Sequence, residues 1–184
     1  MEFDENFTGV LEEETGDGKV FIEFVDGKKE GFVKRFSKDG VLLSSMEYHD
    51  DDLNGVSIQY YATGGEMVRM YYKSGSLHGE FRAYYENGML QVKGQYVDGK
   101  LQGKYEQFDE FGDKISECMY EQGQLNGKSL RYFPKAQGGG VYEMSFYENG
   151  YLQGERVTYN VNGEVSSVTP YIMGKAQRYT EAFA

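Results

Sequence analysis

Residues 53–76 read LNGVSIQYYATGGEMVRMYYKSGS and residues 77–100 read LHGEFRAYYENGMLQVKGQYVDGK, after which LQG begins again at 101. Leu53, Leu77, Leu101 and Leu125 fall 24 residues apart. Gly55, Gly79, Gly103 and Gly127 keep the same step, as do Tyr48, Tyr72, Tyr96 and Tyr120. A spacing this regular is the signature of a repeat architecture, and it governs every other reading of the chain.

With the glycine of each Leu-x-Gly as position zero, about six residues follow that end on an aromatic: Phe36, Tyr60, Tyr84, Phe108, Tyr132 and Tyr159. A turn with glycine at position nine comes next (Gly40, Gly64, Gly88, Gly112, Gly163), and then a second run to Tyr48, Tyr72, Tyr96, Tyr120, Tyr147 and Tyr171. A second turn holds Gly75, Gly99, Gly123, Gly150 and Gly174. Two short aromatic runs closed by glycine turns make a β-hairpin, and Asn87-Gly88, Asp98-Gly99 and Asn149-Gly150 are strong hairpin-turn dipeptides.

The expected fold is all-β: an elongated, single-layer antiparallel meander of about seven hairpins in one repeat domain, 1–184. The repeats run at approximately 7–30, 31–54, 55–78, 79–102, 103–126, 127–153 and 154–177, with 178–184 left as a C-terminal cap. The first copy is degenerate. Gly9 to Gly31 is 22 residues, and Glu12, Glu13 and Glu14 stand where strand formers are due, as suits a capping unit. From Gly127 to Gly154 is 27, and the surplus sits in PKAQGGG, residues 134–140, read as an enlarged turn.

Positions five and seventeen, the two aromatic ladders, share parity and are expected to share a face. Tyr61, Tyr71, Phe81, Tyr85, Tyr105, Phe133 and Phe146 have the opposite parity. They form the candidate partner-binding strip, because aromatics are enriched at binding hot spots. Packing of both faces, or self-association, would use the same residues.

The net charge is −11. That disfavours a nucleic-acid binder, which needs clustered Lys and Arg, and permits a basic protein partner steered by charge. Anionic lipid also calls for clustered basic residues. Here 19 basic residues are scattered among 30 acidic ones, which weighs against membrane association. Free sheet edges offer a route to homo-oligomers. No apolar run has the length of a membrane-crossing helix, and MEFDENFTGV lacks the features of a signal peptide. A cytoplasmic setting is favoured on that ground, although a chain trimmed of its leader would look the same.

Chemistry-bearing residues are few, and no cofactor, metal or catalytic set is expected. His78 is the middle residue of a Leu-x-Gly, where other copies have Asn54, Gln102, Asn126 and Gln153, so it reads as a polar turn residue. His49 stands beside Asp50, Asp51 and Asp52, without the spaced ligands and turn glycine of a dedicated cation loop. Cys118, the single cysteine, stands where Met46, Met70 and Gly94 stand in earlier copies and reads as a packed side chain. Gly138-Gly139-Gly140 lacks the Lys-Ser or Lys-Thr of a phosphate loop.

The triplets LNG, LHG, LQG, LNG and LQG at 53, 77, 101, 125 and 152, with YYENG, YENG and QYVDGK in register, resemble the MORN repeat. More specifically they resemble the bacterial variant of YwqK-like antitoxin proteins. The resemblance implies a hairpin-repeat fold over roughly residues 7–178 and a binding or scaffolding role. Some members are antitoxins or immunity proteins and others membrane-associated scaffolds. The first implied function is therefore a non-catalytic module that binds a basic, toxin-like protein. The second is a membrane or cytoskeletal scaffold.

Overall fold

The computed structural model describes residues 6–178. They form an all-β chain of eighteen strands in one open antiparallel sheet. The strands are β1 Gly9–Thr15, β2 Gly18–Val25, β3 Lys28–Ser37, β4 Leu42–His49, β5 Asp52–Tyr60, β6 Glu66–Lys73, β7 Ser76–Leu77, β8 Gly79–Tyr84 and β9 Leu90–Val97. There follow β10 Lys100–Leu101, β11 Gly103–Phe108, β12 Lys114–Glu121, β13 Gln124–Tyr132, β14 Val141–Glu148, β15 Tyr151–Leu152, β16 Gly154–Tyr159, β17 Val165–Ile172 and β18 Lys175–Ala176. The expected cap at 178–184 lies, apart from Arg178, outside the described residues.

Two compact units can be distinguished: Met1–Gln91 with Tyr96–Gly99, and Val92–Gln95 with Lys100–Ala184, so that β9 contributes to both. In the N-terminal unit the hairpins place Gly9 opposite Phe24, Gly31 opposite Tyr48 and Gly55 opposite Tyr72. In the C-terminal unit Gly103 faces Tyr120, Gly127 faces Tyr147 and Gly154 faces Tyr171. Position zero thus meets the second ladder aromatic in each of these hairpins. The degenerate first copy obeys the same register, with Glu12, Glu13 and Glu14 exposed within β1.

The two turns of a repeat differ in kind. At the second, both central residues have positive φ, as in Asp98 (48°) and Gly99 (77°), which is the type I′ geometry that matches strand twist. Its glycine N–H then reaches the preceding repeat. Gly75 donates to Leu53 O at 2.9 Å and Gly99 to Leu77 O at 2.8 Å. In the other unit Gly123 donates to Leu101 O at 2.9 Å and Gly174 to Leu152 O at 2.9 Å. The leucine of Leu-x-Gly is therefore also a backbone acceptor for the next turn. The first turn is longer. Tyr85 N–H bonds Met89 O and Gly88 N–H bonds Tyr85 O, so Asn87-Gly88 closes a wider loop with positive φ at Gly88 alone. Residues 134–140 enlarge this same turn with a single 3-10 turn, Lys135–Gln137, and Phe133 N–H bonds Gly140 O across it.

Glycine is needed at position zero because the preceding strand bulges onto it. The register slips between Met46 and Tyr48, and Glu47 folds back so that its Oε2 accepts the Val56 N–H at 2.9 Å. A Cβ on Gly55 (φ 124°) would sit 2.1 Å from that oxygen. Glu23 does the same for Phe32 and Gly31.

The expectation that positions five and seventeen share a face does not survive the register. Paired residues share a face, and Gly55 opposite Tyr72 sets even positions of the first strand with odd positions of the second. Alternation holds along one strand, and the turn between strands resets it. Both faces consequently carry aromatics, and among the described residues only Ile58, Ala83 and Val157 are buried aliphatic side chains.

Candidate functional site

Register also divides the seven candidate aromatics. In the N-terminal unit Phe81 lies edge-to-face with Tyr96 at 5.9 Å, against the ladder it was expected to oppose. Tyr71 takes the bulged position, where its Cβ would stand 3.1 Å from a Cβ on Gly79, and it is 38% exposed. Tyr61 and Tyr85 open the first turns and are half-buried, and the Tyr61 hydroxyl donates to Tyr84 O at 2.7 Å. In the C-terminal unit Tyr105 packs edge-to-face with Tyr120 at 5.6 Å and Phe133 tilts against Tyr142 at 5.4 Å. Phe146, opposite Lys128, is 44% exposed. Tyr71, at position sixteen, and Phe146, at the equivalent place in the enlarged repeat, are thus the two candidates with the openness a contact surface requires.

The middle residue of Leu-x-Gly has a structural task that spacing alone does not reveal. Its side-chain oxygen accepts the N–H of the first residue of the next type I′ turn: Asn54 from Ser74 at 3.3 Å, Gln102 from Gln122 at 3.0 Å and Gln153 from Met173 at 3.0 Å. Glu30 does so for Asp50 at 3.0 Å. His78 points Nδ1 at the Asp98 carboxylate, 3.3 Å away, in the same place. Sequence reading sees only that this position is polar, because the acceptor and donor lie 20 residues apart.

The cluster around His49 resolves into pairs. His49 Nδ1 is 2.8 Å from Glu30, Asp50 binds Lys28 at 2.8 Å, and Asp51 accepts the Lys29 N–H at 2.9 Å. The hydrogen bond to Glu30 raises the His49 pKa. Among the described residues no group of three or more His, Cys, Asp or Glu side chains is placed to hold a metal ion. Cys118 sits opposite Tyr105, and burial pushes its thiol pKa up, away from nucleophilic use.

Two further constellations lie in the C-terminal unit. Glu106 and Glu117 face each other across β11 and β12. Lys114 bridges them at 2.6 and 2.8 Å, and Lys104 at 3.2 and 2.9 Å. Hydrogen bonds from Lys114, then Lys104, hold the Glu117 carboxyl down at about 2. On the other face Glu143, 8% exposed, accepts from Arg156 Nε at 2.9 Å. Each buried charge is thus paired, as burial demands.

Residues 77–98 match the family model described as MORN repeat variant. No curated protein matches the chain. The matched stretch runs from Leu77 of Leu-x-Gly through the Asp98 turn, so it covers one whole hairpin of the set described above. Together with the recurrence of that hairpin in register along the sheet, the match supports a MORN repeat protein.

Proposed function

We propose that the chain is a non-catalytic protein-binding repeat module, of the antitoxin or immunity type, and that its partner is a basic protein. The observation that carries this reading is the exposure of position sixteen and its equivalent on an open sheet, where Tyr71 and Phe146 stand half out of the fold. Large aromatics at such places supply contact area at low entropic cost. The MORN repeat match is in keeping with a binding module, and the net charge of −11 favours a partner of opposite sign.

The test is affinity capture by the full chain at low and high salt, with soluble and membrane fractions kept apart. One basic protein, taken from the soluble fraction, lost as salt rises and bound more weakly by Tyr71→Ala or Phe146→Ala, is the expected result. Recovery with membranes alone would replace this reading with that of a membrane scaffold.

A further inference from the structure

We propose that the cleft over Arg35, Ser44 and Gln59 in the N-terminal unit binds a monocarboxylate, a single carboxylate group on a short apolar stem. The inference goes beyond the protein-binding reading above and does not depend on it.

The three residues come from three adjacent strands. Arg35 on β3 lies directly opposite Ser44 on β4, and Ser44 directly opposite Gln59 on β5. Paired residues share a face, so a guanidinium, a hydroxyl and an amide stand side by side across the sheet. All three line a cleft of ≈ 280 Å³. Among the described residues none of the three side chains has a hydrogen-bond or ion-pair partner. Ser44 is 7% exposed, and a hydroxyl at that depth needs a partner from the cleft it lines.

The same row in the C-terminal unit shows what such groups take. Gln107 lies opposite Ser116 and accepts its hydroxyl at 2.7 Å, and Thr158 and Ser167, also opposite each other, share a hydrogen bond of 2.6 Å. Arg131 holds the place of Arg35 in its own repeat. The residue opposite it is Glu143, 8% exposed, whose Oε1 is 4.0 Å from Arg131 Nε. A buried carboxylate thus stands at the place that Ser44 holds opposite Arg35. Serine is shorter and neutral, so the repeat at 31–54 leaves open a place that its counterpart fills with a carboxylate.

A ligand carboxylate there accepts from the Arg35 guanidinium, the Ser44 hydroxyl and the Gln59 amide. Leu43, Met46 and Met67 also line the cleft and give the stem its apolar contact. Two further charges stand in the lining. Lys19 is held by Glu12 at 2.5 Å, and Asp17 adds a negative charge. The balance suits one carboxylate and opposes a phosphate dianion.

The experiment is a titration of the full chain, followed by backbone amide shifts. The probes are butyrate, a free acid, and the α-amide of N-acetyl-L-glutamic acid, which carries its carboxylate as a peptide side chain does. Butyramide and inorganic phosphate are the controls. Saturable shifts at Arg35, Ser44, Gln59 and Met67 with a carboxylate probe, and with neither control, are expected. Tighter binding of butyrate assigns the site to a free acid, and tighter binding of the glutamic amide to an acidic side chain of a partner. Arg35→Gln, made on an exposed side chain, should weaken the carboxylate at least tenfold. Ser44→Glu should abolish its binding by supplying the group from within, as Glu143 does. Absence of shifts at those residues with both carboxylates overturns the proposal, whether or not Ser44→Glu folds. So does undiminished binding by folded Arg35→Gln, or an equal response to butyramide.

Discussion

Within the C-terminal unit one row of residues crosses the sheet on a single face, and its two halves have opposite chemistry. Lys93, Glu106 and Glu117 lead into Leu130, Met144, Val157 and Val168, each opposite the next. The backbone register is the same in both halves. One half is held by the Lys104 and Lys114 bridges, the other by aliphatic contact that buries Val157 to 7% exposure. The hairpin scaffold therefore does not depend on what its face carries. Turns, bulges and inter-repeat backbone bonds place the strands, and the face is left open to variation. That is the property a binding array needs, since function is carried by sites set on a fold.

The largest effect is expected where the aliphatic half is given a charge. Val157→Asp places an unpaired carboxylate between Met144 and Val168 and should cost about 3–5 kcal/mol, read from urea unfolding. A loss below about 1 kcal/mol would mean that this half of the row is not packed.

Breaking the ionic half should cost less. Lys114→Ala leaves Glu106 and Glu117 directly opposed with Lys104 alone between them. The expected loss is about 1–3 kcal/mol, because Lys104 is half-exposed and screened. Raised salt should weaken this half, so Lys114→Ala should respond to salt less than the unaltered chain does.

Acid sharpens the contrast. The folded pKa of Glu117 lies below its ordinary value of 4.5, at about 2. Its contribution is thus fully present above about pH 4.5 and is lost as pH falls toward 2. The unaltered chain should lose stability over that window, and Glu117→Gln should lose less of it. Equal acid sensitivity of the two would remove the ionic account.

The smallest effect belongs to the device that both halves share. Gln102→Ala removes the side-chain oxygen that accepts the Gln122 N–H. The cost should be about 0.5–1 kcal/mol, because water can replace the lost partner at this exposed turn.

Strand ends, turn positions and the enlarged turn at 134–140 were legible in the residues, because period and turn chemistry are local properties of the backbone. Gly9 opposite Phe24 shows that even the degenerate first copy could be aligned correctly. The candidate surface was legible only in part. Phe81 and Tyr105 share parity with Tyr71 and, once the three-residue insertion is discounted, with Phe146, yet they pack against Tyr96 and Tyr120. Parity cannot be carried through a five-residue turn without knowing which residues pair. The bridges from Lys104 to Glu117 and from Lys114 to Glu106 were hidden for the same reason: they join position one to fourteen and position eleven to three across strands. The 22-residue first step was visible and its consequence was not, since only the pairing shows that β2 runs on to meet Phe36 and Ser37.

The sequence by itself determined that this is an array of β-hairpins with its turns at stated glycines, because positive φ, hairpin turns and a 24-residue period are written residue by residue. Only the tertiary structure decided which side chains share a face, which charges meet and where aromatic surface stays open. Those depend on pairing register and on the bulges that reset it, and register is a relation between strands rather than a property of any one of them.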